Sequence, residues 1–379
     1  MFISSSSGSR GGGEIFLLYL GQALQAQGHT VALWASSHPR MDELARRFSE
    51  FGEVQRDSYH NTYDHWHRGV LPNFGAAATA RRLAARWQAW APDVIHLNKQ
   101  NLEDANDLLA AVTIAAVPHL CTVHITQSAA FLGARFAAWR DTRARAALRT
   151  YPGPLVAVAP TRAAELAEFV GKGARVCTIM NGVSPLTDSP ALRTNLRSGE
   201  GFSPDAFAIV AVGRLEPQKN PLRFLHYATV IREVLPNVAL RWIGGGRMTA
   251  EWDRELAARH LAATVQRIEW REDVRSVLPA YDAFLHTAAF EGLPLAILEA
   301  MEACLPCFIE KSVHAQLPGS LQSCAVAIDD RTDWAALLGD RNALADLGRR
   351  ARAIVRAEFS TTTMAQSYAN LYQELCAGR

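Results

Sequence analysis

The chain has 379 residues, enough for two domains of ordinary size, and 49% of them are apolar, enough for two cores. Its 39 basic and 37 acidic residues leave a formal net charge of +2, which excludes a nucleic-acid binder of the general electrostatic kind. Six scattered cysteines, Cys121, Cys177, Cys304, Cys307, Cys324 and Cys376, form no disulfide framework, so a cytoplasmic location is expected. The opening residues have no charged and apolar leader.

The chain begins with a short strand and a glycine- and serine-rich loop over residues 4–13. That loop reads either as a low-complexity leader or as a phosphate-binding loop at a helix N-terminus. A helix is expected over 14–27, stopped by Gly28, then strands over 31–35, 94–97, 120–123, 155–159 and 176–179 with helices between them. Residues 108–134 carry no Asp, Glu, Lys or Arg, but Pro118, His119 and His124 break the run. It reads as buried core, not as a membrane span.

Residues 181–205 contain Pro185, Pro190, Pro204 and three glycines and read as a linker. The alternation then restarts, with strands over 208–212, 239–243, 265–270 and 283–286, a helix over 221–235 and a helical end over 343–376. This α/β pattern predicts two Rossmann-like, doubly wound domains facing a central cleft. Ligands of such sheets lie at the carboxyl ends of the strands.

Two loops at expected strand ends carry the residues best suited to chemistry. In Val212-Gly213-Arg214-Leu215-Glu216-Pro217-Gln218-Lys219-Asn220, the guanidinium and the ammonium can clamp a diphosphate. In Phe290-Glu291-Gly292-Leu293-Pro294, followed by a helix with Glu299, carboxylates suit sugar hydroxyls and the N–H groups of Gly292 and Leu293 suit phosphate oxygens. Gly244, in a third strand-end loop, allows close approach of a ligand to the backbone.

Five segments in order resemble the retaining glycosyltransferases of family 4, which have the GT-B fold. They are Gly11-Gly12-Gly13-Glu14, Pro92-Asp93-Val94-Ile95-His96, Thr122-Val123-His124, Asn181-Gly182-Val183, and Gly213-Arg214 through Lys219 together with Glu291 and Glu299. The resemblance implies an acceptor-side domain over 1–183 joined by a returning C-terminal helix over 361–379, and a nucleotide-sugar domain over 184–360. It also implies roles. Arg214 and Lys219 hold the donor diphosphate, Glu291 the donor sugar and Glu299 the ribose. Gly12, Gly13, Gly213, Gly292 and Leu293 offer backbone to the donor, and His124 faces the sugar or acceptor. No cofactor is implied beyond the nucleotide-diphosphate sugar.

No Asp-x-Asp motif is present, which fits transfer without a metal. The implied reaction moves a hexose to a hydroxyl of a carbohydrate or lipid-linked acceptor in cell-surface polysaccharide or glycolipid synthesis. An epimerase of the same fold and a non-catalytic nucleotide-sugar binder are the alternatives.

Four segments depart from the family pattern: Thr287-Ala288, Glu302-Ala303-Cys304-Leu305-Pro306-Cys307-Phe308 with Cys304 at the pattern's glycine, Ile125, and Ser312-Val313-His314-Ala315. The first strand is short for the family, so the natural start is expected upstream. Cys304 and Cys307 have redox-motif spacing but fall where the family has a buried turn and strand. Tyr59, His60, Tyr63, His65, Trp66 and His67 read equally as an acceptor-binding loop or a plain surface loop. Arg135, Arg140, Arg143, Arg145 and Arg149 read as a solvated helix face or as a contact with anionic lipid head groups at the inner membrane face.

Overall fold

Short unbroken apolar runs between helical stretches favour strands buried on both faces, and parallel sheets are where such strands occur. A computed structural model describes residues 1–4, 8, 10–59, 76–187 and 189–378. The chain divides into two units, Met1–Gly182 with Thr361–Arg379, and Val183–Ser360.

The described strands of the first unit are β1 (Phe2–Ser4), β2 (Ala32–Ser36), β3 (Glu53–Asp57), β4 (Ile95–Asn101), β5 (His119–Ile125), β6 (Leu155–Ala157) and β7 (Val176–Thr178). They form one sheet in the order β3-β2-β1-β4-β5-β6-β7, every pairing parallel. Between β1 and β4 the order of winding reverses, and the loops leaving those two strands part at their carboxyl ends. The predicted strands fall where expected, with β4 and β5 extended toward the carboxyl edge. β3 was not foreseen.

The helix Thr361–Ala377 packs on the helix Gly12–Ala26. Its Tyr368 hydroxyl lies 2.9 Å from Thr122 Oγ1, which lies 2.8 Å from His96 Nε2. His96 Nδ1 in turn lies 2.7 Å from the Tyr372 hydroxyl. These buried polar groups satisfy one another, and they tie the returning helix to β4 and β5. The expected C-terminal crossing is therefore present.

The described strands of the second unit are β8 (Phe207–Val212), β9 (Val238–Ile243), β10 (Val265–Ile268), β11 (Ala283–His286), β12 (Cys307–Glu310) and β13 (Val326–Ile328). Their order is β10-β9-β8-β11-β12-β13, again all parallel, with the reversal between β8 and β11. Phe224, Trp242 and Trp252 are buried against one another on one face of this sheet, with ring centroids 5.4–5.7 Å apart.

The predicted linker over 181–205 needs correction. It contains the helix Pro190–Gly199, whose first turn is capped by the Ser189 hydroxyl accepting from Leu192 N at 3.1 Å. Arg193 and Arg197 anchor that helix to the Asp282 carboxylate at 2.5 and 2.9 Å. Proline and serine suggested a loop, but proline is tolerated in a first helical turn and serine is a cap. Among the described residues no helix is long and apolar enough to cross a membrane, and residues 108–134 include the end of the helix Asn106–Ala115 and β5.

Candidate active site

The residues picked out in the second unit meet at the reversal of its sheet. The loop after β8 and the loop after β11 are held together by Ala289 N donating to Gln218 O at 2.8 Å. The Thr287 hydroxyl donates to the carbonyls of Lys219 and Asn220 at 3.1 and 3.2 Å. The Lys219 ammonium pairs directly with the Glu291 carboxylate, and His286, the last residue of β11, lies 3.4 Å from the same oxygen.

Glu291 is buried. Burial raises a carboxyl pKa, but the Lys219 ammonium and the contact with His286 outweigh it and hold Glu291 below its usual range. The site therefore contains a fixed carboxylate acceptor with an ammonium against it. Arg214, two residues past the end of β8, is exposed and has no ion-pair partner among the described residues.

The loop after β9 supports this arrangement from behind. Gly213 N donates to Ile243 O at 3.1 Å, and Leu215 N to Gly245 O at 3.0 Å. Trp242 Nε1 donates to Gly213 O at 2.9 Å. Gly244 has φ +132°, and a Cβ there would stand 2.2 Å from Gly213 O. The close approach that this glycine permits is thus by the neighbouring loop that carries Arg214 and Lys219.

Helix Leu295–Glu302 begins after Pro294, whose backbone is extended, so Gly292 and Leu293 lie on the loop as expected. The proline is the N-cap of this helix, one position before its first turn. Glu299 is half-buried on this helix, between buried Leu298 and Ala300.

In the first unit Gly12 and Gly13 open the helix Gly12–Ala26 instead of preceding it, with Gly11 as N-cap. Their N–H groups are among the first four of the helix, which have no carbonyl within the helix to donate to. Asn98 Nδ2 on β4 donates to Gly13 O at 3.0 Å, which leaves its Oδ1 facing His124 Nε2 at 2.7 Å. A carbonyl can only accept, so the amide orientation is fixed and Nε2 of His124 must carry the proton. Burial pushes the His124 imidazole down to about 3, so it is neutral and its Nδ1 holds the lone pair. A Cβ at Gly13 would lie 2.3 Å from the Gln100 side chain, so this position admits only glycine without movement.

The structure brings Arg214, Lys219, Gly213, Gly244, Glu291, Gly292, Leu293 and Glu299 to one sheet edge in the second unit, and Gly12, Gly13 and His124 to one edge in the first. It adds Asn98, Gln218, His286 and Thr287. His286 and Thr287 stand at and just after the carboxyl end of β11, a positional signal, and Gln218 lies in the loop after β8, whereas Asn98 lies within β4 and carried no such signal. Of the aromatic cluster only Tyr59 is described, its hydroxyl donating to Asp107 at 2.8 Å; His60, Tyr63, His65, Trp66 and His67 lie outside the described residues. Residues 5–7 and 9 of the N-terminal loop also lie outside them. Among the described residues no group of three or more His, Cys, Asp or Glu is placed to hold a metal ion. Cys304 and Cys307 are both free thiols.

Two family descriptions match the chain, "Glycosyltransferase Family 4" over residues 10–185 and "Glycosyl transferases group 1" over residues 193–315. The chain belongs to glycosyltransferase family 4. This member is 32% identical over 140 residues to the Escherichia coli UDP-Gal:alpha-D-GlcNAc-diphosphoundecaprenol alpha-1,3-galactosyltransferase, a stretch covering 36% of each protein. It is 26% identical over 125 residues to the putative glycosyltransferase EpsF of Bacillus subtilis, covering 33% of each. The chain thus matches only about a third of the length of these curated relatives. Among solved structures, Anabaena HepE in complex with UDP and glucose superposes with a TM-score of 0.78 at 18% identity, over 97% of both chains. The sucrose-phosphate synthase of Thermosynechococcus elongatus superposes with a TM-score of 0.72 at 17% identity, over 100% of this chain and 99% of that one. At such identities the likeness establishes the fold, which is GT-B.

Proposed function

We propose that this family 4 chain transfers a hexose, with retention at the anomeric carbon, from a nucleoside-diphosphate sugar to a hydroxyl of a carbohydrate or lipid-linked acceptor. The observation that carries the reading is the Lys219–Glu291 pair at the reversal between β8 and β11, flanked by exposed Arg214 and half-buried Glu299. A buried carboxylate held ionised is an acceptor for sugar hydroxyls. Adjacent cations and the loop N–H groups of Gly292 and Leu293 suit the charge that grows on a departing diphosphate.

In this reading the bond from the anomeric carbon to the phosphate oxygen breaks and its electron pair stays with the diphosphate. The acceptor oxygen attacks on the same face, and its proton passes to the departing phosphate oxygen. Arg214 and Lys219 neutralise the leaving group, so the step needs no metal. Glu299 holds the ribose, and neutral His124 offers its Nδ1 lone pair to a sugar or acceptor hydroxyl. A uridine donor is favoured by the UDP-Gal named for the Escherichia coli relative and by the UDP and glucose bound to HepE. The diphosphoundecaprenol named for that relative favours a lipid-linked acceptor, and this reading puts the work in polysaccharide or glycolipid synthesis at the inner face of a membrane.

The test is turnover of UDP-glucose and UDP-galactose with lipid-diphosphate sugar acceptors. Lys219→Ala and Glu291→Ala should each lower transfer about 100-fold or more while leaving the folded fraction unchanged. Near-normal turnover in both variants sinks the assignment, and conversion of the donor without any acceptor favours the epimerase reading.

A further inference from the structure

The segment after β5 places four large apolar side chains in solvent. Phe131 is 65% exposed, Leu132 40%, Phe136 60% and Trp139 38%. They fall within nine residues, whereas large apolar side chains exposed singly are ordinary. Nor do they lie on a loose strand of chain. The buried Asp141 carboxylate accepts from Ala129 N at 2.7 Å and Ala130 N at 3.1 Å, fixing the turn that presents Phe131 and Leu132. Arg140 grips Glu103 with two hydrogen bonds of 2.6 and 2.7 Å, fixing the start of the helix Ala137–Arg149 that presents Trp139.

That helix buries Asp141, Ala144 and Leu148 on its inner face. Between Ser128 and Thr150 the chain has five arginines and one acidic residue, Asp141, and that one is turned inward. Arg135 is exposed beside Phe136, and the Arg143 guanidinium lies over the Trp139 ring at 4.8 Å from its centroid. An exposed apolar set with cations interleaved in the same segment matches the boundary between acyl chains and anionic head groups. The patch starts seven residues after His124 and belongs to the same unit.

We infer that Phe131, Leu132, Phe136 and Trp139, with Arg135 and Arg143, form a docking surface for an anionic lipid bilayer. The inference rests on the reading of a lipid-linked acceptor, which requires the protein to work at a bilayer.

Co-sedimentation with vesicles tests it, using ~30 mol% phosphatidylglycerol in phosphatidylcholine against phosphatidylcholine alone. The full chain should pellet with the anionic vesicles, and salt should weaken the binding. The variant Phe131→Ser/Phe136→Ser/Trp139→Ser should bind about tenfold more weakly or worse, and Arg135→Glu/Arg143→Glu should lose the preference for anionic lipid. The thermal shift produced by UDP is the control for folding, and it should be unchanged in both variants. Its absence in the parent chain overturns the donor-site reading without bearing on vesicle binding. Failure of the parent chain to pellet, or equal pelleting by the triple-serine variant, overturns the docking surface. So does a dimer in the absence of vesicles that the triple-serine variant converts to monomer with no gain or loss in lipid binding, since the patch would then serve a second copy of the chain.

Discussion

Three buried histidines sit on interior strands of the two sheets: His96 on β4, His124 on β5 and His286 at the end of β11. Burial lowers all three imidazoles below 6.5, His124 to about 3, and the contact with Glu291 only partly opposes it at His286. An imidazole that is harder to protonate in the folded state binds more protons when unfolded. Its contribution to stability is complete above about pH 6.5 and is lost as the pH falls toward the folded value. The melting temperature should therefore drop between about pH 7 and about pH 5, before most carboxylates titrate. A His124→Gln variant, which keeps a donor for Asn98, should show a shallower drop over that interval. An equally steep one would mean that His124 is not buried neutral.

At the scale of elements, the helix Leu295–Glu302 ends in a way its sequence disguises. Leu305 N donates to Ala300 O and Cys304 N to Met301 O, each at 3.0 Å, and Cys304 has φ +61°. This is the Schellman arrangement, which favours glycine at the left-handed position. The chain has a cysteine there, where the family pattern has glycine. Cys304→Gly should relieve about 1 kcal/mol of backbone strain and raise the melting temperature by about 2–4 °C. Calorimetry checks it, and a fall would show that the contact between Cys304 Sγ and Arg352, at 3.4 Å, outweighs the strain.

Strands with unbroken apolar runs were legible, because burial on both faces leaves a simple signature. β3 was not, since Gln55 and Arg56 interrupt it, and the helix Pro190–Gly199 was hidden by residues that serve as its cap and first turn.

For the whole molecule, the parallel architecture and the position of the site followed from alternation and from loops at strand ends. What the sequence could not display were contacts between residues far apart in the chain. Lys219 and Glu291 are 72 residues apart, and only the β8-β11 neighbourhood joins them. The use of Gly244 to admit Gly213 is likewise a property of two loops packed together, invisible in either alone. The motifs were readable as candidates, and the pairing of charges was not.

The central claim is that the β8 and β11 loops bind a nucleoside diphosphate. The most direct measurement is the thermal shift with ~1 mM UDP, GDP or ADP on the parent chain and on Lys219→Ala. UDP should raise the melting temperature of the parent chain by a few degrees and that of Lys219→Ala by much less. No shift with any of the three nucleotides, or an undiminished shift in Lys219→Ala, would contradict it.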